Sequence, residues 1–363
     1  MHKLVTILLL LSATPAYPCA TFALPDNRMP DFKKAQPQTI PNTIIAKSYE
    51  WHDESGLVFI NKRGIKKQSL VLLPSDKPAT WQSRFASLTF NQYGREFPVG
   101  GINEQGIVIE ASILNLTQYP KPNNLPTVNE LNFVQYLLDQ AKSTDHAIEL
   151  AKKVRITPIY AKLHYFVCSP EGSCGVIEFL DGKLITSSGA FIESPIALTN
   201  SPFKKCYNAW AERNMNITAI KYYRFINLYK LIINAIKSKN NNITTAWNIL
   251  KWLTSNSFSP MQWQIVYEAG EKQVHFRTRE HKSIKTVNLN NFELDCNKPA
   301  LITSLISDAT GDISKSFTPY TQKANYILVA NSLRLLDKNI SQEKISLIAN
   351  YPQQFKCMLN KND

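Results

Sequence analysis

The sequence predicts an α+β protein, and the order of its elements is compatible with a four-layer αββα sandwich of two stacked sheets covered by helices, as well as with other α+β arrangements. Strand-like and helical segments alternate in blocks along the chain: strands, two helices, strands, two helices and strands again. The 363 residues are 44% hydrophobic and 19% charged, which is enough apolar material for a sizeable core and excludes global disorder.

Periodicity places these blocks along the chain. Up to about Leu114, β-branched runs bounded by Gly, Pro and Asn predict strands at 44–46, 56–61, 68–73, 86–91 and 106–113. Apolar residues at helical spacing predict helices at 127–142, 144–154, 220–238 and 243–253. Further strands are expected at 162–168, 175–180 and 183–187, followed by a hairpin of 262–268 with 273–278. The C-terminal residues after about 300 are expected to mix short helices with loops.

Residues 1–18 are typical of an export segment. A basic start at His2 and Lys3 precedes the apolar run 4–11 and the small-residue stretch 12–18. The apolar run is shorter than the about 20 residues that span a bilayer, so we expect a cleaved signal and a periplasmic or secreted product. No later segment is apolar enough to cross a membrane. A lipid anchor on the following cysteine is the alternative, although Pro18 fits that position poorly.

The chain carries a formal net charge of +13, with basic residues scattered along it. Lysine pairs at 33–34, 66–67, 152–153 and 204–205 are typical of solvated faces, and no helix-turn-helix, zinc or aromatic RNA-binding motif accompanies them. We therefore expect no nucleic-acid partner, and at most a weak attraction to anionic surfaces.

Five cysteines follow the one at the end of the export segment. Cys168 and Cys174 flank the turn sequence SPEGS between two strand-like runs, which predicts a disulfide across a hairpin. A metal site is disfavoured there because no histidine cluster accompanies the pair. The sequence does not pair the remaining three: Cys206, Cys296 and Cys357.

Cys19 directly follows the export segment, where a cysteine has three explanations: a disulfide, a lipid anchor or a catalytic nucleophile. If processing makes it the first residue, its α-amine has a reference pKa of about 7.7–8.0 and can take the thiol proton without a histidine. Processing has two possible routes. One is direct cleavage after Pro18, and the other is cleavage after Ala16 with autocatalytic removal of Tyr17 and Pro18.

Six segments that follow Cys19 in order carry a resemblance to a known family. They are 46–51 with 56–64 (AKSYEW and GLVFINKRG), 89–96 (TFNQYGRE), 100–106 (GGINEQG), 197–202 (ALTNSP), 223–225 (YRF) and 262–267 (QWQIVY). Together they resemble the choloylglycine hydrolase and penicillin V acylase family of N-terminal-nucleophile hydrolases, which cleave linear amide C–N bonds. The resemblance extends over about residues 19–290 and implies the four-layer αββα fold of these hydrolases.

The resemblance implies a catalytic set that needs no metal and no organic cofactor. Cys19 would supply the nucleophilic thiol and, through its α-amine, the general base. Asn200 would bind the tetrahedral oxyanion, a contact worth about 2.7–4 kcal/mol, with a backbone N–H near Ile113 as the second donor. Arg224 would lie near the sulfur and favour its thiolate. Without the resemblance, Asn200 would be interpreted as a turn residue and Arg224 as an exposed helical residue.

Lys47 and Glu50 depart from the family pattern. Many relatives carry arginine and aspartate at these places, and the aspartate holds the α-amine of the nucleophile. Both charges are kept here, but lysine is a point charge instead of a planar fork, and glutamate is one methylene longer. The resemblance therefore implies a refitted pair with altered or reduced activity. The alternative is an exposed ion pair at a strand end, worth about 0–1 kcal/mol.

Phe22, Trp51 and Ile113 are the candidates for contacts with the acyl group of a substrate, because of their places beside the nucleophile and the oxyanion strand. Core packing is the alternative for each of them. Some exported relatives have a tryptophan where this chain has Ile113, so the aliphatic residue predicts a roomier acyl pocket. Residues 26–39 are expected to form an inserted loop, either over the pocket mouth or on inert surface.

We therefore expect a signal or pro segment at 1–18 and a single N-terminal-nucleophile hydrolase domain at 19–363, with a core at about 19–290 and a C-terminal extension at about 291–363. The expected substrate is a small-molecule acyl amide: phenoxyacetyl-type penicillins, acyl-homoserine lactones or other fatty-acyl amides, ahead of conjugated bile acids. A homo-oligomer is expected from the family. The alternatives are a catalytically silent exported binding protein of the same fold, and a disulfide-stabilised or lipidated envelope protein.

Overall fold

The computed structural model describes residues 19–25, 42–190, 196–212, 222–257 and 259–358. The predicted export segment at 1–18 and the predicted inserted loop at 26–39 lie outside these ranges. Among the helices that are described, none combines the length and the apolar character needed to cross a bilayer.

The first sheet carries the start of the described chain. Within the described ranges it has seven strands, in the spatial order β14 (Ala197–Leu198), β1 (Ala20–Pro25), β2 (Thr43–Glu50), β15 (Met261–Glu268), β16 (Gln273–Thr278), β17 (Lys285–Asn288) and β19 (Gly311–Asp312). β1 pairs antiparallel with β14 on one side and with β2 on the other. Both edges of the first described strand are therefore occupied by neighbouring strands.

The second sheet has nine strands in the described ranges. Their spatial order is β13 (Lys183–Ala190), β12 (Ser173–Leu180), β11 (Leu163–Cys168), β8 (Val108–Ile113), β7 (Pro98–Asn103), β6 (Ser87–Asn91), β3 (Leu57–Asn61), β18 (Leu301–Ser304) and β20 (Thr318–Pro319). Two small sheets join β4 (Ile65–Gln68) with β5 (Thr80–Gln82) and β21 (Lys356–Cys357), and β9 (Thr127–Val128) with β10 (Arg155–Ile156).

Helices cover the outer faces of both sheets. The second sheet is covered by α1 (Asn132–Gln140) and α2 (Thr144–Ala151), and the first by α3 (Phe203–Ala211), α4 (Tyr223–Lys237) and α5 (Ile243–Ser255). A C-terminal pair, α6 (Gln322–Leu336) and α7 (Gln342–Asn350), packs together beside the sandwich, and short 3₁₀ turns occupy Leu289–Asn291, Ser314–Ser316 and Tyr351–Gln354. The predicted four-layer αββα class is confirmed.

Aromatic side chains join the two sheets. Trp263 of β15 is fully buried, and its ring stacks on Tyr49 of β2 with a centroid separation of 4.4 Å. Phe90 of the second sheet approaches the same ring at 6.5 Å. The Trp263 Nε1–H donates to the carbonyl of Glu54 at 2.7 Å, so the one polar atom of this ring is satisfied.

The structure corrects two predicted boundaries. The first helix begins at Asn132 instead of 127, because Thr127 and Val128 pair in parallel with β10. The Asn129 side chain then accepts the backbone N–H of Asn132 at 2.7 Å and starts the helix. The strand expected at 68–73 lies instead at Ile65–Gln68.

The chain after residue 290 contributes to the sandwich itself. β18 lies beside β3 in the second sheet, and β20 pairs with β18. A disulfide between Cys296 and Cys357 ties the two ends of this segment together, while Cys168 and Cys174 are bonded across the hairpin of β11 and β12. Short helices are expected in this segment, but α6 is longer, with 15 residues.

Replacing Trp263 by alanine should lower the free energy of unfolding by about 3–5 kcal/mol, because it empties a fully buried site between the sheets. Chemical denaturation measures the change. Ile327→Ala, at a side chain of α6 that is 50% exposed, is the control and should stay within about 0.5 kcal/mol of the parent. A loss at Trp263 no larger than that at Ile327 would contradict the stacked core.

Candidate active site

Cys19 lies directly before β1, and its thiol is enclosed. Thr21 pairs with Leu198 of β14, so the same antiparallel register, continued by two residues, places Cys19 opposite Asn200. The cysteine is 3% exposed, and its Sγ lies 3.6 Å from the carbonyl oxygen of Glu50. Two of the six cysteines, this one and Cys206 of α3, form no disulfide.

Burial raises the pKa of the Cys19 thiol above its ordinary value and is the largest influence on it. The Lys47 ammonium lowers the same pKa, the Glu50 carboxylate raises it, and the Arg224 guanidinium lowers it more weakly. Arg224 thus acts on the sulfur in the direction that the resemblance implies, but burial outweighs it. The thiol is held protonated and needs a base before it can attack a carbonyl.

Glu50 presents one bonded and one open carboxylate oxygen. Its Oε1 accepts the Ser48 hydroxyl at 2.8 Å and an Arg224 N–H at 2.7 Å. Its Oε2 is buried, and none of the residues that the structure describes donates to it. Burial, partly offset by Arg224, raises the pKa of Glu50 to about 7. Burying a carboxylate oxygen without a donor is costly. This oxygen is therefore available to accept a hydrogen bond.

Lys47 crosses the gap between the sheets. Its Nζ donates to the carbonyl of Ala111 at 2.6 Å and to the Ser112 hydroxyl at 2.8 Å, both on β8, and lies 3.6 Å from Glu110 Oε2. Successive strand residues point to opposite faces, so Glu50, three residues later, points instead to the helix layer that holds Arg224. Lys47 and Glu50 therefore do not form the pair that the sequence suggested, because the pleat separates them, and neither lies at an exposed strand end.

The carboxylate of Glu110 is the ionic partner of Lys47, and sequence reasoning missed it. It is 1% exposed, accepts the Tyr267 hydroxyl at 2.5 Å and lies over Gly100, where a Cβ would come within 2.3 Å of it. Burial raises the pKa of Glu110 to about 7, and the Lys47 ammonium opposes this rise. The glycine pair at 100–101 was the available signal, since glycine inside a strand marks a close approach.

Asn200 and Ile113, the two predicted oxyanion donors, are in direct hydrogen-bonding contact. The Asn200 Nδ2 donates to the carbonyl of Ile113 at 2.8 Å. The next residue, Leu114, bonds through its N–H to Lys162 on the opposite strand edge. Because the N–H and C=O of one strand residue point to the same side, the Ile113 N–H lies on the edge that faces Asn200. The Asn200 Oδ1 is buried and accepts from none of the described residues.

Of the predicted pocket side chains, Phe22 belongs to the same buried cluster as Cys19 and Trp51 packs against that cluster, whereas Ile113 belongs to another. Phe22 is fully buried and lies three residues along the strand, so its ring points to the opposite face. The Ile113 side chain packs into the cluster beneath α1 and α2. That these two side chains contact the acyl group of a substrate stays a prediction. Trp51, directly after the end of β2, donates its Nε1–H to the Tyr93 hydroxyl at 2.5 Å.

The described part of the chain contains no group of three or more His, Cys, Asp or Glu side chains arranged to hold a metal ion. The Cys19 thiol is enclosed, and the register of β1 with β14 places its residue opposite Asn200, whose side-chain amide is a hydrogen-bond donor. These residues can perform nucleophilic chemistry.

Replacing Lys47 by methionine should lower the free energy of unfolding at pH 8 by about 3–5 kcal/mol, because it leaves the buried Glu110 charge without its cation. The double variant with Glu110→Gln should recover most of this loss, and a double-mutant cycle in urea measures the coupling. Lys152→Met breaks the exposed pair with Glu149 and serves as control, with a change below about 1 kcal/mol. Additive losses at Lys47 and Glu110 would contradict the pairing.

The Glu110 carboxyl should make stability fall with rising pH. Its pKa is 4.5 in the unfolded chain and about 7 when folded, so between these values the folded state binds more protons and its stability decreases as pH rises. The difference in unfolding free energy between the parent and Glu110→Gln, from urea titrations, should therefore fall from pH 4.5 to 7 and level off above. For Glu149, whose pKa is lowered by Lys152, the difference should be small and of opposite sign. A difference that rises with pH at Glu110 would show that the carboxylate is favoured by folding.

Known proteins that are similar to this chain include penicillin V acylases and a conjugated bile acid hydrolase. No family model matches the sequence. The chain is similar to a penicillin V acylase of Pectobacterium atrosepticum, with 23% identity over 213 residues, which is 54% of this chain and 52% of that protein. It thus spans about half the length of the curated relative that it matches.

Solved structures extend the likeness over most of the chain. A penicillin V acylase from Agrobacterium tumefaciens matches with a TM-score of 0.68 at 17% identity, covering 84% of this chain and 98% of that one. Two variants of a conjugated bile acid hydrolase from Clostridium perfringens match with TM-scores of 0.63 at 17% and 16% identity, covering 82% of this chain and 99% of theirs. The resemblance inferred from the six segments is confirmed: this chain is similar to the choloylglycine hydrolase and penicillin V acylase family and has its αββα N-terminal-nucleophile fold.

Proposed function

We propose that this protein is an exported hydrolase that uses Cys19 to cleave the linear amide bond of N-acylated small molecules. The observation that carries the proposal is the open Oε2 of Glu50. This buried carboxylate oxygen has no donor among the described residues, and it belongs to the residue whose carbonyl lies 3.6 Å from the Cys19 sulfur. A free α-amine on Cys19 would supply the missing donor and, at the same time, the base that the protonated thiol needs.

The reaction follows from these positions. The α-amine takes the thiol proton, and the sulfur attacks the acyl carbon of the substrate amide. The Asn200 Nδ2 and the Ile113 N–H stabilise the resulting oxyanion. When the intermediate collapses, the C–N bond breaks and the leaving amine takes the proton from the α-ammonium, which leaves a thioester on Cys19. Water then attacks the thioester and gives its proton to the α-amine, and the acid departs as the thiol is restored.

Export and removal of residues 1–18 belong to the same proposal, since the α-amine exists only after the chain is cut before Cys19. The basic start and apolar run of this segment support a signal. Of the alternatives, a lipid on Cys19 would block the thiol, and a silent binding protein would keep the fold without turnover.

The similar proteins differ in the acyl group that their names denote, a penicillin V side chain in one and a bile acid in the other. Their common feature is an amide between an acyl group and a small amine, and this is the substrate class that we propose. Phenoxyacetyl penicillins, acyl-homoserine lactones and fatty-acyl amides are the panel to test, with conjugated bile acids as a further arm.

Trapping of the acyl-enzyme tests the proposal. The exported protein should begin at Cys19, and brief incubation with the acyl amides followed by acid quenching should add one acyl mass to it. Cys206→Ser removes the other cysteine that forms no disulfide and should keep the adduct, whereas Cys19→Ser should lose it together with amine release. A mature chain that retains residues before Cys19, or an adduct that survives Cys19→Ser, would overturn the mechanism. Absence of any adduct and of amine release across the panel would favour the binding protein.

A further inference from the structure

A buried pair of ionisable residues, unused by the proposed reaction, lies behind the Asn200 loop. His164 of β11 and Glu178 of β12 are 0% and 2% exposed. The His164 Nδ1 lies 3.0 Å from Glu178 Oε1. Burial is the largest influence on His164 and lowers its pKa, which keeps the ring neutral, so its Nδ1–H is the donor in this bond.

Glu178 also caps a helix that belongs to another part of the chain. Its two carboxylate oxygens lie 3.0 and 3.3 Å from the backbone N of Phe203, the first residue of α3. Pro202, at the N-cap position, has no side-chain cap of its own. The first N–H groups of a helix need partners, and a negative charge at this end is favourable. Glu178 therefore fixes the point where α3 begins.

The same pair reaches the other end of the Asn200 loop. The His164 ring lies near the backbone of Thr199, directly before Asn200, while Glu178 holds Phe203 three residues after it. His164 pairs across the strands β11 and β8 with Ser112, whose hydroxyl accepts a hydrogen bond from the Lys47 ammonium. The loop 199–203 is thus bonded to Glu178 at its end, and its start lies beside the His164 ring, next to the strand that carries Ile113 and the Lys47 contact.

We propose that the Glu178–His164 pair positions the Asn200 amide for oxyanion binding. This inference rests on the function proposed above and adds two positioning residues to it. Neither residue touches the sulfur. Their effect passes through the loop, whose placement matters because a displacement of about 1 Å at a reacting centre can cost about a hundredfold in rate.

Kinetics of Glu178 variants test the proposal. Glu178→Leu removes the acceptor for the helix N–H, and we expect kcat to fall about 10- to 100-fold with KM within about threefold, because the oxyanion exists only in the transition state. Glu178→Gln keeps one acceptor oxygen and should recover most of kcat. His164→Asn, which keeps a donor to Glu178 in a smaller side chain, should lie between the two.

The chain offers a matched control in Glu130. Its carboxylate is also buried and accepts three backbone N–H groups, but these belong to the loop Ile159, Tyr160 and Ala161. Glu130→Leu should lower the unfolding free energy as Glu178→Leu does, with kcat unchanged. Equal losses of kcat in the two leucine variants, or a rise of KM alone at Glu178, would overturn the positioning role.

A structural readout separates this inference from the proposed function. Crystal structures of the variants should show the 2.8 Å bond from Asn200 Nδ2 to the Ile113 carbonyl lost in Glu178→Leu and kept in Glu130→Leu and Glu178→Gln. If Glu178→Leu does not fold, His164→Asn supplies the same comparison. A bond that stays in place in every folded variant overturns the inference, whether or not the parent hydrolyses any acyl amide. A parent without turnover, but with the bond lost as expected, overturns only the proposed function.

Discussion

The pairing of β1 between β14 and β2 is the constraint on which the site depends. Because both edges of this strand are occupied, the strand cannot shift its register by one residue without moving every side chain to the opposite face. The pairing with β14 brings Asn200 opposite Cys19, and the pairing with β2 brings Glu50 beside it. The places of Cys19, Asn200 and Glu50, to which we assign the roles of nucleophile, oxyanion amide and amine acceptor in the proposed function, are thus set by the pairing of one strand.

Buried charges then orient the parts that the ladder leaves free. Lys47 bonds across to β8 and so ties the first sheet to the strand that carries Ile113. Arg224 holds Glu50 from the helix layer. Buried ion pairs add little net stability, and both carboxylates, Glu50 and Glu110, have pKa values raised to about 7. These ion pairs instead fix the geometry. Each partner is held in one arrangement, because any other would leave a buried charge unpaired.

Strand alternation decides which of the predicted site residues share a face of a sheet. Cys19 and Asn200 share one ladder, and Glu50 and Arg224 form an ion pair on the helix-covered face of the first sheet. Lys47 lies three residues from Glu50 and on the opposite face of β2, where its ammonium contacts β8 and acts on the Cys19 thiol. The Ile113 side chain packs into the cluster beneath α1 and α2.

By itself the sequence determined the fold class, most strands and helices, the hairpin cysteines and the candidate nucleophile, because these follow from local periodicity and from short ordered motifs. Only the tertiary structure decided what depends on pairing between distant segments: the Glu110 partner of Lys47, the open oxygen of Glu50 and the cap that Glu178 supplies to α3. The physical reason is that a side chain's partner in the core is chosen by sheet register and layer packing, which bring together residues dozens of positions apart without leaving any local pattern.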